Sequence, residues 1–159
     1  MHSQGRKTTA TLVGDGPDRE ALQAQVARLG LNSTVRFVPA MPARAAFALS
    51  RIMVVPSRAE SLPYVVLEAA AASKPLITTR VGEIPEIYGP LSNTLIPPED
   101  ASGLARAIGQ ALDRPEAMAD ITQKLRKRVQ ASFSVDNMVD GVLTAYQTAL
   151  ETSVKNGRR

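Results

Sequence analysis

Five short apolar runs, each closed by a turn signal, confine this chain of 159 residues to an α/β fold more firmly than any other feature of its sequence. The runs occupy residues 9–13, 34–38, 52–55, 75–79 and 94–96. Between the first two, Leu22, Val26 and Leu29 recur at helical spacing, and Gly30 follows where a helix carboxyl cap is wanted. An alanine-rich helix is expected at residues 44–49 and another at about 63–72. After Pro97-Pro98, Leu104, Ile108 and Leu112 form one helical stripe. Val135, Met138, Val139, Val142, Leu143, Tyr146 and Leu150 form another, with Ser134 as its amino cap. Strands this apolar are expected to be buried on both faces, as in a Rossmann-like, doubly wound parallel sheet with helices on both faces and a helical carboxyl-terminal segment. We expect one domain over residues 9–152, between a flexible segment at 1–8 and a basic tail at 153–159. Ligands of such sheets bind beyond the carboxyl ends of the strands, which directs attention to the loops after Val13, Val38, Val55 and Thr79.

Several functional classes are disfavoured. The absence of cysteine excludes disulfides, thiolate metal sites and cysteine nucleophiles, and a lone histidine, His2, cannot anchor a triad or a metal site. No carboxylate cluster has metal-site spacing. The net charge of +4 is dispersed apart from Lys124-Leu125-Arg126-Lys127-Arg128 and Arg158-Arg159, and aromatic residues make up 4% with no Trp, so no nucleic-acid partner is expected. The richest apolar stretch, residues 62–72, is interrupted by Glu68 and falls short of the roughly 20 residues a membrane span requires. The amino terminus lacks the apolar segment of a secretory signal, and the cytoplasm is the expected compartment.

Chemistry concentrates after Val55. In Glu60-Ser61-Leu62-Pro63-Tyr64-Val65-Val66-Leu67-Glu68, Ser61 suits a helix amino cap and Pro63 the first turn, which aims free N–H groups and the positive dipole end at an anion such as a diphosphate. Glu60 precedes the helix and Glu68 lies about one and a half turns within it, so both carboxylates can face one crevice and accept from sugar hydroxyls. The turn Gly14-Asp15-Gly16-Pro17 lacks the third glycine of a dinucleotide fingerprint, because Arg19 stands there, and reads as a structural turn near the crevice.

Together with Val35-Arg36-Phe37 and Lys74-Pro75-Leu76-Ile77-Thr78-Thr79-Arg80-Val81-Gly82-Glu83-Ile84-Pro85-Glu86-Ile87, these segments resemble, in order and spacing, glycosyltransferase family 4 (glycosyl transferases group 1). The resemblance covers roughly residues 9 to 150 and points to the carboxyl-terminal, donor-binding domain of a GT-B enzyme. It implies a retaining glycosyltransferase that takes a nucleotide-diphosphate sugar as substrate, needs no metal, and acts in bacterial polysaccharide or lipid-linked glycan synthesis. On that basis Glu68 would accept hydrogen bonds from the ribose and Glu60 would contact hydroxyls of the transferred sugar. Backbone at Leu62, Pro63, Tyr64 and Val65, beside Ser61, would approach sugar and diphosphate. Pro39-Ala40-Met41-Pro42 would frame the base, near Gly14 and Gly16. The family often has Gly-Phe-Gly where this chain has Ser61-Leu62-Pro63, and Pro63 removes one donor.

In the family, another strand bearing an Arg and a Lys opens this half, and an acceptor-binding amino-terminal domain faces it. Eight residues cannot hold that unit, so the chain is expected to be a fragment that is inactive alone. Two other readings fit the same residues: a nucleotide-binding or protein-interaction module on a Rossmann-like scaffold, and part of another GT-B enzyme such as a sugar-nucleotide epimerase or a phosphorylase. The run 124–128 offers a solvated helix face or, because many relatives act on lipid-linked acceptors, peripheral contact with anionic lipid.

Overall fold

The computed structural model describes residues 8–156. In chain order it contains β1 (Ala10–Val13), α1 (Arg19–Arg28), β2 (Val35–Val38), α2 (Ala43–Ala48), β3 (Met53–Val55), α3 (Tyr64–Ala71), β4 (Leu76–Thr78), α4 (Ile84–Tyr88), a 3-10 helix (Gly89–Thr94), α5 (Ala101–Asp113), α6 (Pro115–Ser132) and α7 (Val135–Asn156). The expected alternation of strand and helix is therefore present, with boundaries displaced by a residue or two.

All strand pairing is parallel. β1 lies against β2 with Ala10 opposite Val35 and Val13 opposite Val38, and β3 lies against β4 with Met53 opposite Leu76 and Val55 opposite Thr78. The run at 94–96 contributes a single parallel bridge, Ile96 to Thr79, instead of a strand. Where one sheet was expected, the described residues form two ladders. The order is β1-β2 in one ladder and β3-β4, with a bridge on to Ile96, in the other.

That division decides burial. β4 is buried throughout, because α3 and α5 both pack on it and it has neighbours on both edges. No residue of β1, β2 or α1 is buried, so the expectation of burial on both faces fails for the first ladder. A strand with one paired edge and little helix cover cannot exclude water. The core instead gathers around α3, whose Val66 and Ala69 are fully enclosed, with Ile84 and Ile87 of α4 and Leu125 of α6. Ile84 and Ile87 each contribute on the order of 1.5–3 kcal/mol by leaving water.

Helix ends follow local chemistry. α1 stops at Gly30: its N–H reaches the Ala27 carbonyl (3.0 Å), and its φ of +67° turns the Leu31 N–H back to the Val26 carbonyl (3.0 Å). Ser134 caps α7, its Oγ accepting from the Asn137 N–H at 3.1 Å. Every side chain described in α7, from Val135 to Thr152, is exposed, the apolar stripe included. The backbone of α7 runs on to Asn156 through the first part of the expected tail; the expected flexible segment up to Lys7, including His2, and residues 157–159 lie outside the described residues.

The basic run in α6 is largely engaged within the fold. Arg128 donates to the Ile87 carbonyl (3.0 Å) and the Glu86 carbonyl (2.8 Å) at the end of α4, Arg126 donates to Ser73 Oγ (3.1 Å), and Lys124 pairs with Asp120 (2.7 Å). Among the described residues no helix is long and apolar enough to cross a membrane.

Candidate functional site

The parallel ladders place the loops singled out in the sequence at the carboxyl ends of their strands, in two clusters. In the first, the Gly14 N–H donates to the Val38 carbonyl at 3.1 Å and the Ala40 N–H donates to Asp15 Oδ2 at 3.0 Å. The turn holding Gly14 and Gly16 and the loop holding Met41 are thereby joined, with Met41 half-buried. Arg19 closes this turn from the helix side: it donates to the Gly14 carbonyl (2.9 Å), pairs with Asp15 (2.7 Å) and lies 5.8 Å above the Phe37 ring. The residue that breaks the dinucleotide fingerprint is thus a bracket for the turn.

In the second cluster, the chain leaves β3 at Val55 and must rise to α3 through Glu60. Ser57 Oγ donates to Glu60 Oε1 at 2.6 Å, and the buried Thr79 hydroxyl donates to the Ser57 carbonyl at 2.6 Å. Gly82 adopts φ +51°, and a Cβ added there would stand 1.9 Å from the Glu60 carbonyl oxygen, so only glycine permits this approach. The neighbouring Glu83 N–H donates to the Ser61 carbonyl at 3.0 Å. The β4–α4 turn therefore serves as a floor for the Glu60–Ser61 backbone, and Glu60 is half-buried on it.

The helix start departs from the sequence reading. Ser61 is exposed and does not cap α3; Pro63 occupies the cap position with φ −78° and ψ 98°, and no side chain bonds the first turn. The reason is register: with the Ser61 carbonyl held by Glu83, the helix begins two residues beyond where a Ser61 cap would start it. Pro63 is buried, Leu62 and Tyr64 are exposed and Val65 is half-buried. The amides of Tyr64 and Val65 open the helix, where intrahelical bonding leaves donors unused and the dipole is positive. Glu68, in the fifth position of α3, is exposed, and its carboxylate makes no hydrogen bond or ion pair among the described residues.

The structure thus ties Glu60 and Ser61 to the β4–α4 turn, and Gly14 and Gly16 to the Met41 loop, while no hydrogen bond ties Glu68 to either cluster. Sequence reasoning missed Ser57, Thr79 and Asp15 as organisers of these loops. A Ser or Asp one or two residues beyond an apolar run was the available signal, but turns are rich in both types. A cavity of about 280 Å³ opens beside the same strand ends, lined by Pro56, Arg58, Thr79, Pro97 and Glu99 among others; it adjoins the Thr79 anchor and includes none of the carboxylates singled out above. Among the described residues no three His, Cys, Asp or Glu side chains gather as a metal site.

Comparison with known proteins gives the arrangement its context. The family described as "Glycosyl transferases group 1" matches residues 1–114. A D-inositol 3-phosphate glycosyltransferase of Acidothermus cellulolyticus is 31% identical over 159 residues, an alignment covering 94% of this chain and 35% of that protein. Sucrose-phosphate synthase from Thermosynechococcus elongatus superposes with a TM-score of 0.76 at 27% identity, over 89% of this chain and 38% of the other. Anabaena HepE, solved in complex with UDP-glucose, also gives 0.76, at 22% identity over 88% of this chain and 41% of its own, a likeness of fold. The chain spans little more than a third of the length of the curated relatives it matches. With its short parallel ladders flanked by helices in the manner of GT-B enzymes, the chain belongs to the glycosyl transferases group 1 family.

Proposed function

We propose that this chain is the donor-binding part of a retaining glycosyltransferase, holding a nucleotide-diphosphate sugar while the rest of the protein, an acceptor-binding domain, presents a glycan or lipid-linked acceptor. The observation that carries the reading is the Glu60 carboxylate, fastened and half-buried immediately ahead of α3, with the exposed Glu68 further along the same helix. Glu60 accepts from hydroxyls of the transferred sugar and Glu68 from the ribose. The Tyr64 and Val65 amides meet the diphosphate at the positive end of α3, beside Ser61 and Leu62, while Pro63 has no N–H to offer. The joined loops of Gly14, Gly16 and Met41 frame the base.

In the reaction the acceptor oxygen bonds to the anomeric carbon as the bond from that carbon to the diphosphate oxygen breaks. The nucleoside diphosphate leaves with the electron pair, and the acceptor proton passes to the departing phosphate or to solvent. Preorganised donors stabilise the charge that develops on the leaving group. The reading uses no metal and no organic cofactor. Because acceptor positioning belongs to the rest of the protein, this chain alone is expected to bind donor without turnover, since orientation accounts for many orders of magnitude in rate. The proposed setting is the cytoplasm. Peripheral contact with the inner membrane face belongs to the proposal only as far as the acceptor is lipid-linked, since three of the four basic side chains at 124–128 are engaged inside the chain.

Titration with UDP, GDP and ADP, followed by amide NMR shifts, tests the site and the base together. Shifts should cluster in residues 39–42 and 60–68, and Glu68→Ala should weaken them by about tenfold, the scale of a hydrogen bond to a charged group. Shifts from none of the three nucleotides at millimolar concentration, or shifts indifferent to Glu68→Ala, would count against the donor site.

A further inference from the structure

Glu60 belongs to a segment without regular secondary structure, between the end of β3 and the start of α3. A carboxylate on a free loop samples several rotamers, and stopping it on a ligand has an entropic cost. Here it is stopped in advance. Ser57 Oγ donates to Oε1 at 2.6 Å, within the range of charge-assisted O–H···O contacts. The carbonyl of Ser57 is fixed in turn by Thr79 Oγ1 at 2.6 Å, and Thr79, directly after β4 and bridged to Ile96, is only 3% exposed, so the anchor is buried and does not move with the loop of Glu60. From the other side, Gly82 and Glu83 bear on the carbonyls of Glu60 and Ser61. Backbone and side chain of Glu60 are both held, and Oε2 is left for a ligand.

We propose that Ser57 is a positioning residue that sets the Glu60 carboxylate for the transferred sugar, with the Thr79 hydroxyl as its anchor; the proposal rests on the reading of Glu60 as the sugar-binding carboxylate. In this role Ser57 acts through Glu60 and makes no contact of its own with nucleotide or sugar. Its removal should therefore change how firmly the sugar is held and leave the hold on the nucleotide as it was. Thr79 acts one step further back, through the backbone of Ser57. Thr79→Val removes the donor at nearly constant shape, and Thr79→Ser restores it.

The test has two readouts on the full chain. Without ligand, the carbon resonance of the Glu60 carboxyl is compared in wild type, Ser57→Ala, Thr79→Val and Thr79→Ser. With ligand, dissociation constants are measured for UDP against UDP-glucose, GDP against GDP-mannose and ADP against ADP-glucose, and the ratio within each pair isolates the contribution of the sugar. We expect Ser57→Ala to move the Glu60 resonance, Thr79→Val to move it less, and Thr79→Ser to leave it in place. For whichever pair binds, Ser57→Ala should cut the contribution of the sugar about tenfold while affinity for the nucleotide alone changes less than about twofold. A Glu60 resonance unmoved in both Ser57→Ala and Thr79→Val overturns the proposal. So does a moved resonance with an unchanged sugar contribution, or an equal loss for nucleotide and nucleotide sugar, the mark of a loosened fold. If the resonance moves but wild type binds none of the three pairs, the donor-site reading fails and takes the sugar-holding role with it, which separates that failure from a failure of the Ser57 contact.

Discussion

Of the glycines described, Gly82, beneath the candidate site, leaves the least room for a side chain, and replacing it with alanine measures how much that tightness matters. A Cβ at this position would lie 1.9 Å from the Glu60 oxygen, 2.7 Å from its carbonyl carbon and 3.0 Å from the Ser61 oxygen. All three neighbours are backbone, so no side chain can rotate away. Carbon and carbonyl oxygen come no nearer than about 3.3 Å, so the Glu60 loop must withdraw by roughly 1.4 Å. The φ of +51° adds its own penalty, about 1–2 kcal/mol for a residue with a Cβ. Overpacking against backbone costs on the order of 1–3 kcal/mol more. A total of about 2–5 kcal/mol should lower the melting temperature by roughly 5–15 °C in a chain of this length. Scanning calorimetry gives this value directly, and the NMR shifts of Glu60 and Ser61 report the displaced loop. Gly16→Ala is the control, because a Cβ there meets nothing within 4 Å, and its effect should stay within about 0.5 kcal/mol. Should Gly82→Ala melt with wild type and leave the Glu60 shifts in place, the view that the β4–α4 turn forms the floor of the site is wrong.

Two further predictions concern the scaffold. The Tyr88 hydroxyl is buried without a hydrogen-bond partner among the described residues, and burial pushes its phenol above the ordinary 10.0. The folded chain then keeps a proton that the unfolded chain releases, so this stabilisation is complete below pH 10 and declines as pH rises beyond it. Urea denaturation between about pH 8 and 11 should show that decline in wild type and a smaller one in Tyr88→Phe, which at neutral pH should match wild type or exceed it by up to about 1 kcal/mol; a variant weaker by more than that would reveal a partner for the hydroxyl. At the start of α5, Asp100 Oδ1 accepts from the Gly103 N–H at 2.7 Å, so Asp100→Ala should cost about 1 kcal/mol and Asp100→Asn much less, both read as thermal melts. Equal melting of the two would assign the effect to the exposed contact with Arg106, 3.8 Å away, a pair of a kind that contributes little.

What the sequence by itself determined is what local chemistry encodes. Apolar runs closed by turn residues gave the strand and helix order, Gly30 ended α1, Ser134 began α7, and the spacing of Glu60 from Glu68 placed one carboxylate before α3 and the other on it. These outcomes depend on residues within about one or two turns of each other, which is the range over which propensity and capping act. Tertiary structure alone decided the rest. β1 and β4 are similarly apolar as strings, yet β4 is buried and β1 is not, because burial depends on how many neighbours a strand receives. Ser61 looked like a cap and is not one, because Glu83, some twenty residues on, holds its carbonyl. The basic run in α6 looked like a free surface until Arg126 and Arg128 met Ser73, Glu86 and Ile87 across the fold. Ser57, Thr79 and Gly82 became visible as organisers of Glu60 only once the parallel pairing of β3 and β4 brought two loops together. Contacts between residues distant in the chain are set by how elements pack, and no local pattern in the sequence records them.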